Sequence, residues 1–147
     1  MFKHILLPTD GSRVARKAVK AGISLAKELG AKVTAYHALE AVNPYMYADG
    51  YILRPGVIKE FEARAREQGA KVLAQVQKAA RDAGVRCETV ITTPATPYQG
   101  IVAAAKRQKC DVILMASHGR GGIGSLLLGS VTQKVLAQSK IPVLVYR

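Results

Sequence analysis

The sequence has no tryptophan, two phenylalanines, two cysteines and three histidines, and each scarcity removes a class of function. Cys87 and Cys110 lie far apart without a CxxC pair, which argues against a disulfide framework or a zinc ribbon. His4, His37 and His118 are scattered without ligand spacing, so metal chemistry built on His or Cys is not expected. Aromatic residues make up only 5% of the chain, and no basic-aromatic motif is present, which disfavours nucleic-acid binding. No apolar run approaches the roughly 18 residues of a membrane span. The apolar stretch between Met1 and Pro8 is too short for a signal peptide, so a soluble, cytoplasmic protein is the expectation. There is no G-x-S-x-G elbow and no pair of carboxylates beside a loop, so the chain reads as a binding protein and not an enzyme. A phosphorylation receiver would need a carboxylate cluster, and Asp10 stands alone.

Acidic residues are also few: 10 against 22 Lys and Arg, for a net charge of +12. On the first helix Arg13, Arg16, Lys17, Lys20 and Lys27 read as a solvated basic face. The last acid is Asp111; beyond it the only charges are Arg120, Lys134, Lys140 and Arg147. A ligand of the C-terminal third is therefore expected to be negative.

What is present is a regular alternation over 147 residues, a length suited to one domain, 1–147. An apolar run at 4–8 leads into the turn and cap formers Thr9-Asp10-Gly11-Ser12. A helix follows with Val14, Ala18, Ala21, Gly22, Leu25 and Leu29 as its apolar stripe and Gly30 as its stop. A second strand spans 33–39. The connection 40–56 is rich in turn chemistry, and its Tyr45, Met46, Tyr47 and Tyr51 either cover a ligand or partner or fold onto the core. A long helix over 57–83 carries the stripe Phe61, Ala65, Val72, Val76, Ala79 and Ala83, is closed by Gly84, and holds Gly69 as a point of bending. Residues 85–92 alternate like an edge strand. Thr96-Pro97-Tyr98-Gln99 is a capping box that opens a helix running to about Lys109. A wholly apolar strand at 112–116, a glycine-rich loop, a helix over 130–138 and a strand at 141–146 complete a βαβαβαβαβ order. Such alternation predicts an α/β fold, an open parallel sheet with helices on both faces. Its ligand site is expected beyond the carboxyl ends of the strands, at the loops after the first and fourth.

Five of the chain's 13 glycines fall between Ser117 and Ser130. Glycine permits positive φ and close backbone approach, so consecutive N–H groups can line a phosphate, helped by the next helix's N-terminus. Gly119, Gly121 and Gly124 match G-x-G-x-x-G, but no acid lies downstream for a ribose. The glycine spacing of a Walker A loop recurs from Gly124 to Gly129, with Ser130 where the lysine belongs. Both fingerprints fit poorly.

The arrangement Ala116-x-x-Gly119, nine residues, then Gly129-Ser130 fits better. Together with Ile5 to Ser12, Ser117 to Gly121, Leu128 to Val131 and Ile141 to Val145, it resembles the universal stress protein family over the whole chain. The resemblance implies five strands in the order 3-2-1-4-5, the adenine nucleotide alpha hydrolase-like fold, and ATP bound with Mg²⁺. In nucleotide-binding members the motif begins with glycine, where this chain has Ala116. If that position needs positive φ, the methyl disturbs the site; if not, alanine is harmless. By the same resemblance Pro8, Thr9 and Asp10 line the adenosine side, with Asp10 facing the ribose or a phosphate-bound Mg²⁺. Ala38 meets adenine through its backbone, and Met115 packs nearby. Gly119, Arg120, Gly129, Ser130, Val131 and Thr132 contact phosphates. The resemblance further implies a homodimer through the last strand. The competing reading is a nucleotide-free adaptor whose basic surface meets an acidic partner or nucleic acid. Side-chain capping alone accounts for Asp10, Ser12 and Ser130 with Gln133, but not for the glycines.

Overall fold

The computed structural model describes residues 1–45, 54–119 and 127–147. Its elements are β1 (His4–Pro8), α1 (Arg13–Leu29), β2 (Lys32–Ala38), α2 (Pro55–Asp82), β3 (Cys87–Thr92), α3 (Pro97–Arg107), β4 (Val112–Ala116), α4 (Ser130–Gln138) and β5 (Val143–Tyr146). All strand pairs are parallel and the order is β3-β2-β1-β4-β5, as the resemblance implied. Strand β1 is central, in register His4 with Lys32 on one side and Ile5 with Val112 on the other. Because side chains alternate along each strand, two cores form. Ile5, Leu7, Val33, Ala35, Val112 and Leu114 meet α1 and α2, while Leu6, Tyr36, Ile113 and Met115 meet α3 and α4.

Local chemistry explains the boundaries. Gly30, at φ 63°, ends α1, and the Ala31 N–H folds back to the Ala26 carbonyl at 2.8 Å. The same closure ends α2 through Gly84 at φ 75°, with the Val85 N–H on the Ala80 carbonyl. Val85 is thereby spent on the helix, so β3 begins at Cys87 and not at 85. Lys109 takes the left-handed conformation, φ 55°, which stops α3 at Arg107, short of the expected Lys109. At α3's start Thr96 is the N-cap, but its hydroxyl donates to the Gln99 side chain at 2.9 Å instead of closing a backbone capping box. Strand β5 starts at Val143 because Ser139 and Ile141 are tied by a local turn and Pro142 has no N–H.

Two predicted stripes need correction. Helix α1 buries Ala15, Ala18, Val19, Gly22, Ile23 and Ala26, while Leu29 is 41% exposed and Val14, Ala21 and Leu25 lie at the flanks. Small residues let the helix approach β1: a Cβ at Gly22 would run into the Leu7 side chain. Helix α2 buries only Gly69, Leu73, Val76 and Ala80, and Phe61, Ala65 and Ala79 are exposed. Gly69 marks a close approach, not a bend: a Cβ there would stand 2.7 Å from both His37 Cδ2 and Ile91 Cδ1.

Candidate functional site

The winding reverses between β1 and β4, and beyond their carboxyl ends lies a cleft of about 570 Å³. Its first wall is the turn after β1. Pro8 closes the strand, and the Thr9 N–H still donates to the Tyr36 carbonyl at 2.9 Å. His37 Nδ1 donates to the Thr9 carbonyl at 2.8 Å, which places a ring proton on that nitrogen. The Thr9 hydroxyl accepts from Gly11 N–H, Asp10 Oδ1 from Ser12 N–H, and Ser12 Oγ from Ala15 N–H. These short-range bonds turn strand into helix, with Gly11 at φ 77° supplying the conformation that side chains resist. Ser12 is thus the N-cap of α1, and Asp10 braces the turn before it.

The second wall follows β4. Ser117 N–H continues the sheet to the Tyr146 carbonyl, while its own carbonyl accepts from Gly129 N–H at 2.7 Å. That bond closes the loop at its base. A Cβ at Gly129 would stand 3.0 Å from His118 Cα, so glycine lets the loop's two ends meet; its φ of −61° is ordinary. Gly119 is tight for another reason: a Cβ there would come 2.7 Å from Asp10 Oδ2. The two walls touch at that point. Ala116 lies in regular strand, among described residues only Lys109 combines a side chain with positive φ, and the Ala116 methyl belongs to the core under α1 and α2. Alanine is therefore unstrained at the first motif position.

Helix α4 points its N-terminus at the cleft. Gly129, not Ser130, is the N-cap, and the expected Ser130–Gln133 box is absent: Gln133 Nε2 donates to the Leu128 carbonyl at 2.7 Å. Ser130 is exposed at the first helical position. The first intrahelical bond runs from Gln133 N–H to the Gly129 carbonyl, so the N–H groups of Ser130, Val131 and Thr132 precede it. All three residues line the cleft. The Thr132 side chain is turned away, its hydroxyl donating to the Ala116 carbonyl at 3.0 Å in a buried bond. Its hydroxyl is thereby spent on β4.

Ala38 lies where β2 outruns β1. Peptide groups along a strand alternate between its two neighbours; the Tyr36 carbonyl serves β1 and the Leu39 N–H serves the Thr92 carbonyl of β3. Ala38 therefore directs its N–H and carbonyl past the end of β1, into the cleft. Met115, 5% exposed, forms part of the floor.

Of the expected residues, Pro8, Thr9, Asp10, Ala38, Met115, Ala116, Gly119, Gly129, Ser130, Val131 and Thr132 all line this one cleft. Arg120 lies outside the described residues, as do Gly121, Gly122 and Gly124, and Met46, Tyr47 and Tyr51 of the long connection. Tyr45 is 77% exposed and does not line the cleft. Sequence reasoning missed the far wall, Ala65, Gln68 and Val72 of α2 with Ile101 of α3. Ala65 and Val72 carry only the signal of a helical core stripe and Gln68 and Ile101 none, because their place at the cleft depends on how two helices dock. His37 was legible only as one of three scattered histidines.

Among the described residues the cleft is lined by Asp10 and Glu40 but by no Lys or Arg, and the end of α4 offers positive partial charge to an anion. Tyr36 is raised above the usual phenol range by burial, and its hydroxyl is committed to Thr92 Oγ1 at 2.7 Å. Among the described residues no group of three His, Cys, Asp or Glu side chains is placed to hold a metal, and no helix is long and apolar enough to cross a membrane.

A model of the universal stress protein family matches residues 1–147. A universal stress protein of Thermus aquaticus is 36% identical over 147 residues, covering the whole of both chains. Universal stress protein MJ0577 of Methanocaldococcus jannaschii is 32% identical over 158 residues, covering 100% of this chain and 96% of its own. Its solved structure superposes with a TM-score of 0.83 at 28% identity, over 99% of this chain and 95% of that one. A universal stress protein solved in complex with cAMP has the same fold, with a TM-score of 0.71 and 23% identity over 99% and 97% of the two chains. The shared architecture is the adenine nucleotide alpha hydrolase-like fold.

Proposed function

Since the chain belongs to the universal stress protein family, we propose that it is a stress-response or signalling protein that binds ATP, carried with Mg²⁺, between the turn after β1 and the loop after β4. One observation carries the reading: three N–H groups at the start of α4, preceding its first helical bond, line a cleft whose opposite wall is Asp10. Phosphate fits that end, because orphan N–H groups and the helix dipole both favour negative charge. Ser130 is exposed there and adds its hydroxyl, while Gly119, Arg120 and Gly129 contact the phosphates. Asp10 faces the ribose or the Mg²⁺. A single carboxylate suits a metal brought by the nucleotide, since Mg²⁺ keeps waters and takes one or two carboxylates besides phosphate oxygens. The adenine lies toward β2, where the Ala38 backbone offers a donor and an acceptor and Met115, Ile101 and Val72 give apolar contact. Another universal stress protein holds cAMP on this fold, which supports the ligand class.

The output of binding is occupancy and not catalysis: His118 is the one candidate base on the described cleft, and its Nδ1, 3.0 Å from the Ser117 hydroxyl, shapes the start of the loop. The protein acts as a homodimer joined through β5, whose Leu144 and Tyr146 are 38% and 39% exposed on a sheet edge.

Acid extraction of the purified protein, followed by titration calorimetry of the emptied protein with Mg-ATP, tests the proposal. Released adenine nucleotide, or heat from a micromolar or tighter site, supports it. A folded protein that is nucleotide-free and silent in calorimetry is instead the adaptor that meets its partner through its basic surface.

A further inference from the structure

Helices α1 and α2 lie on one face of the sheet, and a groove of about 520 Å³ runs between them. This is within the roughly 300 to 1,000 Å³ of small-ligand clefts. Its floor is apolar: Val19, Ile23 and Val76 are buried, Val72 is half-buried, and Ala79 is exposed along the α2 bank. The α1 bank carries Arg16 and Lys20, one helical turn apart. Among the described residues neither has a carboxylate within salt-bridge distance. The groove's one acid, Asp82, is held by Lys78 Nζ at 2.6 Å and stands at the far end, beside Ala83. The groove therefore joins an apolar trough to two cations on its α1 bank that no described carboxylate pairs. Thr9 and Val72 line both this groove and the cleft above the sheet, so the two share a wall.

We propose that the groove is a second ligand site, for a medium-chain fatty acid. The acyl chain lies along Val19, Val76 and Ile23, and the carboxylate is held by Arg16 and Lys20. An apolar floor beside unpaired cations is what such an amphiphile complements; a neutral hydrocarbon leaves the cations unused, and a small hydrophilic anion leaves the trough wet. Length selects the chain. From Arg16 to Ile23 the helix rises about 10 Å, the reach of roughly eight extended carbons.

The test uses the full chain stripped of lipid and nucleotide, so its result is independent of the reading of the neighbouring cleft. Hexanoate, octanoate and decanoate are titrated below their micellar concentrations, with decanol and a decyl trimethylammonium salt as head-group controls. Saturable one-to-one binding is expected, with affinity rising about fourfold per added methylene. Decanoate should bind more tightly than decanol and the cationic amphiphile least. Replacing Arg16 and Lys20 together by Ala should lower decanoate affinity about tenfold and leave decanol unchanged. Ala79→Phe, at an exposed helical position, should fill the groove and abolish both; Ala79→Leu serves if the phenylalanine variant unfolds. Absence of saturable binding for every chain length overturns the site. So does binding that survives both Ala79 variants, or a cationic amphiphile that binds as well as decanoate.

Discussion

The carboxylate of Asp10 rests over the α-carbon of Gly119, so close that a Cβ on Gly119 would stand 2.7 Å from Oδ2. This contact joins the two loops that flank the switch point. The other carboxylate oxygen is engaged by Ser12 N–H at 2.9 Å, so the group has little room to retreat.

Gly119→Ala should therefore displace Asp10 and weaken Mg-ATP binding about five- to tenfold, roughly 1 to 1.4 kcal/mol, with little change in melting temperature. Calorimetry on a double-mutant cycle checks the cause. In an Asp10→Ala background the Gly119→Ala penalty should shrink, because the clash has lost its partner. Equal penalties in both backgrounds would place the effect elsewhere in the loop.

Ser130 and Thr132 should separate binding from folding. Ser130 is exposed and is not the N-cap, so Ser130→Ala should leave stability nearly unchanged and cost about 1 kcal/mol of nucleotide affinity. Thr132→Val removes the buried bond to the Ala116 carbonyl and should cost about 1 to 3 kcal/mol of stability. Urea unfolding beside calorimetry distinguishes them; the reverse pattern would mean that Ser130 caps α4 in solution.

Acid should destabilise the fold through His4. Its ring is buried, Nε2 is 2.8 Å from Thr34 Oγ1, and its pKa lies below 6.5, first through burial and then through Lys32, which outweigh Glu88 and Asp111. The unfolded chain takes up the proton at about pH 6.5, before the folded one does, so stability present above that pH is lost as pH falls toward the depressed folded value. Unfolding free energy should be lower at pH 5.5 than at 7.5, and His4→Asn should flatten this difference. An unchanged slope in the variant would assign the acid lability to other groups.

The β5 edge predicts the assembly variant. Val143 packs with the core under α3 and α4, whereas Leu144 and Tyr146 face outward. Leu144→Asp should convert a dimer into a folded monomer in sedimentation, while Val143→Asp would confuse dissociation with core damage. A monomeric wild type, or a Leu144→Asp variant that remains a dimer, would count against this interface.

The sequence by itself determined the elements and the ends of several: β4 at 112–116 and α4 at 130–138 stand where apolar runs and turn residues placed them. It also marked most of the cleft, because the site's near walls are two loops whose turn formers and glycines are local signals. Tertiary structure decided what those signals meant. Gly129 proved to be a meeting point of loop ends, Gly69 a seat for His37 and Ile91, and Gln133 a partner of Leu128 and not of a capping box. The stripes of α1 and α2 were misplaced for one reason. Periodicity says that a helix has an apolar side, but burial depends on what stands opposite. Small residues drew α1 in around Gly22, and α2 meets the sheet only from Gly69 onward, so Phe61 and Ala65 keep a core-like spacing with no core to enter.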